Sequence, residues 1–211
     1  TTLFNCLTGI TQPTKGRVSF LDTEITGFRS SSIVKLGIAR TFQNIRLFKE
    51  MSVLENIMVS QHCRTGSGLL ASILRGNAFK KEEKIIEEKA LEYLELVGLE
   101  DFAETLSWNL PYGSQKRLEI ARAIATEPRL MLLDEPTAGM NPQETSELME
   151  LIKKLQELGK TIILIEHDMK VVMGISENIV VLDHGVKIAE GTPGEIRKNP
   201  LVIEAYLGKE H

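Results

Sequence analysis

Two unbroken apolar runs with a helical pattern between them constrain the fold of this chain more than any other feature. Residues 130–133 (LMLL) and 161–165 (TIILI) do not alternate between apolar and polar side chains. Such runs are typical of strands buried on both faces of a parallel sheet. Residues 178–182 (NIVVL) form a third run of the same kind. We therefore expect an α/β fold, in which a right-handed crossover joins the first two strands.

The segment between the first two runs carries helix signals at both ends. Asn141 can cap the N-terminus, Pro142 suits the first turn, and Glu144 completes a capping box. Gly159 is expected to end the helix. Apolar residues recur at helical spacing between these ends and predict one buried face: Leu148, Leu151, Ile152, Leu155 and Leu158.

Residues 44–118 follow a different pattern and are predicted to be mostly helical, without a strong strand. One helix is expected to begin at Ser52, and another to span residues 80–97 and stop at Gly98. A loop with several glycines lies between them, at residues 64–79. The inward face of the second helix is predicted to comprise Ile86, Ala90, Tyr93, Leu94 and Val97. We interpret this stretch as a helical insertion in the α/β core.

Composition excludes several classes of protein. With 211 residues, of which 42% are hydrophobic, the chain can bury one sizeable core. Its formal net charge of -4 provides no overall basic field for nucleic acid. Cys6 and Cys63 are too few for a disulfide scaffold and favour a reducing compartment. No apolar run approaches the length of a membrane span, and no signal peptide is visible.

The residues best suited to chemistry follow the first apolar run. Asp134 and Glu135 lie at the carboxyl end of a predicted parallel strand, where α/β sheets bind their ligands. An aspartate there can hold Mg²⁺, and a second carboxylate can polarise an attacking water. His167 follows the next predicted strand, within reach of the same pocket. Taken alone, the two carboxylates are equally compatible with solvated charges at an acidic strand end.

Two helix starts are candidates for binding phosphate. Thr1 and Thr2 precede a helical segment, as does the hydroxyl residue that ends a phosphate loop. Residues 109–123 place a turn containing Gly113 before another helix, whose amides and dipole favour an anion. Alone, each is also compatible with an ordinary helix cap.

Together these segments resemble the ATPases of ABC transporters over essentially the whole chain. Residues 130–136 resemble the Walker B motif with its catalytic glutamate, and residues 110–115 resemble the signature motif. Residues 41–43 resemble the Q-loop, and residues 138–141 occupy the position of the D-loop. His167 resembles the switch histidine. Five ordered matches at sensible separations are far more specific than any one of them.

The resemblance implies one ABC ATPase domain of the α/β P-loop NTPase (RecA-like) class with an inserted α-helical subdomain. Its core would comprise residues 1–43 and 119–211, and its helical subdomain residues 44–118, with the signature motif. The chain begins at Thr1, with no strand before the first helix. We interpret this as an N-terminal truncation within the phosphate loop, and we expect the stretch on its own to be impaired in ATP hydrolysis.

The resemblance further implies that two such chains hydrolyse ATP together. In that arrangement Thr1, Gln43 and Asp134 hold Mg²⁺, Glu135 activates water, and His167 contacts the γ-phosphate. The remaining ATP-binding residues are expected to be Thr2, Gly113, Ser114 and Gln115.

The signature motif of this chain departs from the family pattern. Pro111, Tyr112 and Ser114 stand where serine, glycine and glutamine are usual, and Asn141 stands where the D-loop commonly has aspartate. Pro111 supplies neither a hydroxyl nor an N–H. We therefore expect fewer contacts from this motif to the phosphates of ATP.

Within the family, the chain is most similar to the ATP-binding subunits of branched-chain amino-acid importers. Residues 37–48, 64–79, 165–174 and 191–208 carry this similarity. It implies a peripheral position at the cytoplasmic face of the plasma (inner) membrane. The expected partners are a second ATPase subunit, identical or different, two permease subunits and, indirectly, a substrate-binding protein, but no nucleic acid. The alternatives are a urea, amide or other amino-acid importer, a non-transport ABC ATPase, and a fragment that only binds partners.

Overall fold

A computed structural model of the chain describes residues 1–61 and 77–207. They form two compact units, and the chain passes from the first to the second between Ile165 and Glu166. The division into a core and a helical subdomain at residues 44–118 stays a prediction.

The first unit opens with short elements around a buried aromatic ring. Helix α1 spans Thr2–Leu7, at the predicted place, and is followed by the antiparallel strands β1 (Ser19–Phe20) and β2 (Thr23–Glu24). Helix α2 (Ser30–Leu36) then leads into strand β3 (Ile38–Arg40). Apolar side chains from these elements and from a later strand pack into one buried cluster: Phe4, Ile25, Ile33, Ile38 and Leu132.

Helices dominate the next part of the first unit. Helix α3 spans Val53–Gln61, α4 spans Asn77–Val97 and α5 spans Tyr112–Ile124, with short 3-10 turns at Glu100–Phe102 and Ser107–Asn109. For the described residues of 44–118, the prediction of helices without a strong strand is therefore confirmed. No described helix, here or elsewhere in the chain, is long and apolar enough to cross a membrane.

Local signals predicted the ends and the buried face of these helices well. Ser52 and Glu55 form a reciprocal cap, because each backbone N–H donates to the other side chain, at 2.8 and 3.1 Å. Gly98 follows α4 with a φ of +65°, the left-handed conformation that favours glycine after a helix. Of the predicted inward face of α4, Tyr93 is half-buried and four residues are buried: Ile86, Ala90, Leu94 and Val97. Of the loop predicted at residues 64–79, positions up to 76 lie outside the described residues. The prediction is wrong for residues 77–79, which belong to the first turn of α4.

A parallel sheet forms the centre of the first unit. Strand β4 (Leu130–Asp134) lies between β3 and β5 (Thr161–Ile165), and both neighbours pair with it in parallel. The apolar residues of β4 after Leu130 are fully buried, as its unbroken pattern predicted. Strand β5 is less covered, because Ile163 is 43% exposed.

Helix α6 (Pro142–Glu157) makes the predicted crossover between β4 and β5. The predicted capping box is confirmed, since the Glu144 N–H donates to Asn141 Oδ1 and the Asn141 N–H donates to Glu144 Oε2, both at 2.9 Å. Four of the five predicted inward residues are buried, but the prediction for Leu158 is wrong. The helix ends at Glu157, so Leu158 forms its C-cap and its side chain is 59% exposed.

The second unit is built on an antiparallel hairpin. Strands β6 (Ile179–Asp183) and β7 (Val186–Gly191) pair across a two-residue turn, with Asp183 opposite Val186. His184 and Gly185 both have positive φ, at 46° and 80°, as a tight hairpin turn requires. The prediction that this third apolar run forms a parallel strand buried on both faces is therefore wrong. Helices α7 (Met169–Ile175), α8 (Pro193–Ile196) and α9 (Pro200–Leu207) complete the unit.

Candidate functional site

The end of β4 presents two adjacent carboxylates in different surroundings. Asp134 is the last residue of the strand and is 1% exposed, whereas Glu135 is half-buried. Glu135 has a φ of 47°, a left-handed conformation that costs a non-glycine residue about 1–2 kcal/mol. Its N–H donates to the Ile165 carbonyl at 2.9 Å, which ties the turn to the end of β5. The strained turn thus places Glu135 at the carboxyl edge of the sheet.

Each oxygen of the Asp134 carboxylate has its own partner. Arg40 Nη2 donates to Oδ2 at 2.8 Å, and both side chains are almost fully buried. The Thr1 hydroxyl donates to Oδ1 at 3.4 Å. One oxygen is therefore held by a buried cation, while the other faces the residue that precedes α1.

Arg40 also joins α1 to this strand end. Its Nη1 donates to Asn5 Oδ1 at 2.7 Å and to Thr8 Oγ1 at 3.2 Å. The guanidinium carbon lies 5.5 Å from the centroid of the Phe4 ring and 4.9 Å from that of Phe42. Sequence analysis did not single out Arg40 as a site residue. The available signal was a charged residue at the end of an apolar strand next to β4.

Gln43 contacts the second carboxylate. Its Nε2 donates to Glu135 Oε2 at 3.0 Å, although Gln43 lies 92 positions earlier in the chain. The structure therefore brings four predicted site residues together as two hydrogen-bonded pairs, Thr1 with Asp134 and Gln43 with Glu135, whose carboxylates are adjacent in the chain. Thr2 begins α1 nearby and is exposed.

The oxygen donors in this group suit Mg²⁺. Thr1 offers a hydroxyl, Asp134 a carboxylate and Gln43 an amide oxygen. No group of three or more His, Cys, Asp or Glu residues that could hold a metal occurs in the described parts of the chain. Mg²⁺ typically takes one or two protein carboxylates and completes its coordination with water and substrate phosphates, so this sparse donor set is of the expected kind.

The predicted signature residues lie at the start of α5. The helix begins at Tyr112, so Gly113 lies in its first turn and not, as predicted, in a turn before it. A Cβ at Gly113 would lie 2.6 Å from Glu144 Oε1, and one at Gly139 would lie 3.2 Å from Tyr112 Cε1. Both glycines therefore allow the start of α5 to pack closely against the start of α6.

The side chains of this segment bond within their own chain. Arg117 Nη2 donates to Ser114 Oγ at 3.2 Å, and Gln115 Nε2 donates to the Leu110 carbonyl at 2.8 Å. Pro111 is the N-cap of α5 and makes no side-chain capping bond. The first-turn N–H groups of α5, which have no intrahelical acceptor, can bind an anion, and the Ser114 O–H can join them because Ser114 Oγ only accepts in its bond with Arg117.

Residues of the Gln43 segment and of the start of α5 line a cavity of about 380 Å³. It has a mixed polar and apolar lining, formed by Gln43, Asn44, Ile45, Leu47, Lys49, Trp108, Tyr112 and Gln115.

His167 belongs to the second unit. Its side chain is 73% exposed, and its Nδ1 lies 4.0 Å from Glu166 Oε2. Its carbonyl accepts a hydrogen bond from the Tyr206 hydroxyl at 3.2 Å. The predicted approach of His167 to the pocket at Asp134 stays a prediction.

Comparison with known proteins agrees with this geometry. The sequence model of the family described as "ABC transporter" matches residues 1–138, and that described as "Branched-chain amino acid ATP-binding cassette transporter" matches residues 186–211. The chain is 50% identical over 210 residues to the high-affinity branched-chain amino acid transport ATP-binding protein BraF of Pseudomonas aeruginosa, across 99% of this chain and 82% of that protein. It is 48% identical to LivG of Escherichia coli K12, a protein of the same description, with the same coverage.

A solved structure supports the same assignment. The crystal structure of the ADP conformation of MJ1267, an ATP-binding cassette of an ABC transporter, is 33% identical and superposes with a TM-score of 0.82. The match covers 99% of this chain and 83% of that one. The predicted fold class and family are thereby confirmed, and the chain belongs to the ABC transporter family of ATP-hydrolysing cassettes.

Proposed function

We propose that this chain is the ATP-binding and ATP-hydrolysing subunit that powers an importer of branched-chain amino acids. The observation that carries the proposal is the carboxylate pair Asp134 and Glu135 at the end of β4, with the Gln43 amide 3.0 Å from Glu135. The substrate class is supported by similarity to BraF and LivG, which are described as branched-chain amino acid transport proteins.

Glu135 acts as the general base in this proposal. Its half-buried carboxylate accepts the proton of the water that attacks the γ-phosphate. The bond from Gln43 fixes one carboxylate oxygen, and the bond from the Glu135 N–H to β5 fixes the backbone. Such fixed positions matter because phosphoryl transfer depends mainly on placement and electrostatic stabilisation.

Asp134, Thr1 and Gln43 would hold Mg²⁺ through oxygen atoms. The metal, when bound, would neutralise charge on the phosphates of ATP. Arg40 keeps the Asp134 carboxylate in place from the opposite oxygen, at 2.8 Å. Thr2 contributes to the same ATP site, and His167 contacts the γ-phosphate.

The start of α5 binds the ATP that is held by a second ATPase subunit. Gly113, Ser114 and Gln115 contribute through the backbone N–H groups and dipole of the helix. The Ser114 hydroxyl can add a hydrogen bond, because its oxygen accepts from Arg117 and its O–H still donates. Pro111 limits this contact, since it offers no hydroxyl or N–H.

The subunit sits at the cytoplasmic face of the membrane, bound to permease subunits that receive substrate from a binding protein. The cavity between Gln43 and α5 is the proposed permease contact, since its mixed apolar and polar lining resembles that of protein interfaces. A permease segment bound there would touch the same residue that contacts Glu135.

Transport in a reconstituted system tests this function. The intact subunit, its permeases and its binding protein would be placed in liposomes, and uptake of radiolabelled leucine would be measured with internal ATP. We expect ATP-dependent uptake that unlabelled isoleucine or valine reduces and urea or acetamide does not. Competition by urea or acetamide alone would assign the chain to the other substrate class. As a control for changes at Glu135, the variant Glu147→Gln, which replaces an exposed carboxylate on α6, should retain ATP-dependent uptake.

A further inference from the structure

The segment that carries Gln43 has no regular secondary structure of its own. Residues 41–48 form neither helix nor strand. Their backbone N–H and C=O groups must therefore find partners elsewhere, since unpaired polar groups are costly when shielded from water. At its two ends Thr41 bonds to the Leu132 carbonyl and Phe48 to Asn56. Between them, three charged side chains of α5 supply partners for Phe42, Gln43 and Arg46: Lys116, Glu119 and Arg122.

Glu119 is the acceptor at the centre of this set. Its Oε1 accepts the N–H of Phe42 at 3.3 Å and the N–H of Arg46 at 3.4 Å. A single carboxylate oxygen thus holds the two ends of a five-residue segment that has Gln43 near its start. Glu119 is only 6% exposed, so these bonds are largely shielded from water.

The two cations bind the carbonyl groups of the same segment. Lys116 Nζ donates to the Gln43 carbonyl at 2.8 Å, and Arg122 Nη1 donates to the Arg46 carbonyl. Lys116 is only 3% exposed. The positive charges of Lys116 and Arg122 stabilise the negative charge of the Glu119 carboxylate. Side chains of one helix therefore bind both N–H groups and C=O groups of residues 42–46.

We propose that Lys116, Glu119 and Arg122 are positioning residues that hold residues 42–46 against α5 and so fix where Gln43 meets Glu135. The proposal deepens the proposed function, on which it rests for the role of Gln43. Its consequence is mechanical: the helix that starts with Gly113, Ser114 and Gln115 and the segment that carries Gln43 move together. A second subunit that displaces α5 would then also change the position of Gln43 relative to Glu135.

Amide hydrogen exchange of the intact subunit tests the contact directly, without ATP. Glu119→Ala removes both acceptor bonds, and Glu119→Gln keeps an acceptor oxygen. Lys116→Met removes the bond to the Gln43 carbonyl. Glu127→Ala is the matched control, because this carboxylate lies just beyond α5, is about half exposed and pairs with Lys89; it should leave exchange at residues 41–47 unchanged. We expect exchange within residues 41–47 to rise about tenfold in Glu119→Ala and Lys116→Met, the equivalent of one or two lost hydrogen bonds. Exchange in residues 88–97 of α4 should stay unchanged.

Kinetics in the assembled transporter provide the second readout. Glu119→Ala should lower kcat about tenfold, the effect of roughly 1.4 kcal/mol on the barrier, with the KM for ATP nearly unchanged. Glu119→Gln should recover most of that loss. Unchanged exchange at 41–47 in a folded Glu119→Ala would overturn the proposal, as would an equal rise at 88–97. If Glu119→Ala does not fold, Lys116→Met decides by the same criteria. Failure of the proposed function would instead appear as absence of ATP-driven uptake in the parent.

Discussion

Arg40 Nη2 lies 2.8 Å from Asp134 Oδ2, and the two side chains are 4% and 1% exposed. A buried carboxylate of this kind depends on its partner, because an unpaired charge in the interior is strongly destabilising. The pair also connects α1 to the end of β4, through the bonds from Arg40 to Asn5 and Thr8.

Replacing Arg40 should therefore cost much more than replacing a surface cation. Arg40→Met should lower the free energy of unfolding by about 3–5 kcal/mol, measured by urea denaturation, because it leaves Asp134 buried without its cation. Lys89→Met is the control, since Lys89 pairs with Glu127 at 2.8 Å but both are about half exposed. The control should lose at most about 1 kcal/mol. Equal losses in the two variants would show that the buried pair contributes no special stability.

A side chain at Gly113 should be destabilising. A Cβ there would lie 2.6 Å from Glu144 Oε1, and that side chain cannot move away without giving up its cap to the Asn141 N–H. Gly113→Ala should therefore lower the free energy of unfolding by about 1 kcal/mol, the usual value of a helix cap. Gly194→Ala is the matched change in a short helix, where a Cβ meets no atom within 4 Å. It should leave stability unchanged or raise it, and a destabilised Gly194→Ala beside an unaffected Gly113→Ala would contradict the account.

Glu119 should make stability depend on pH in an unusual direction. Burial raises its pKa above the ordinary value of 4.5, against the opposing effect of Lys116. The folded state thus binds the Glu119 proton more tightly than the unfolded state does. The contribution of this group to stability is therefore complete below pH 4.5 and falls as pH rises through the raised pKa.

Urea denaturation midpoints should be measured from acid to neutral pH. Relative to Glu119→Gln, which cannot titrate at this position, the parent should lose stability as pH rises. Glu190 is the opposite case, because its hydrogen bond with Lys187 lowers its pKa. Its contribution is present above pH 4.5 and lost as pH falls through the lowered pKa, so Glu190→Gln should remove a slope of the other sign. A parent and a Glu119→Gln variant with parallel pH profiles would refute the assignment for Glu119.

Charges at Leu47 and Phe48 should uncouple the subunit from its permeases. Leu47 lines the cavity beside Gln43, and the Phe48 side chain is 45% exposed. The Phe48 backbone is held by Asn56, at 2.9 and 3.0 Å, so aspartate at this position should not release the segment. The double change to aspartate should abolish co-purification with the permeases and leave ATP binding intact. Leu158→Asp, at an exposed apolar site on the C-cap of α6, should affect neither. Normal co-purification of the double variant would show that this surface is not the contact.

Much of the fold could be predicted because its signals are local. The capping box of Asn141 and Glu144 joins residues three apart, and β4 and β5 are unbroken apolar runs of strand length. The residues at 178–182 show where such reasoning fails, since an unbroken apolar run does not distinguish a parallel strand from a hairpin. The deciding signal was the short turn at His184 and Gly185, which only a closely paired hairpin accommodates.

The candidate site was predictable where a motif carried it and not where long-range pairing did. Asp134 and Glu135 could be identified from their place after a strand. Arg40 could not, because its bond to Asp134 spans 94 positions and depends on the pairing of β3 with β4. Glu119 could not be identified either, because a carboxylate in the middle of a helix is usually solvated. Only the fold shows that its side chain accepts hydrogen bonds from the backbone of residues 42–46.

Phosphate release by Glu135→Gln in the intact, assembled transporter tests the central claim most directly. Glutamine preserves the shape of the side chain and an acceptor for Gln43 but cannot accept a proton from water, so kcat should fall about a hundredfold or more. ATP binding, measured on the same preparation, should be retained, and the matched variant Glu147→Gln should keep parental turnover. A Glu135→Gln variant that releases phosphate within a few fold of the parental rate would contradict the assignment of Glu135 as the general base.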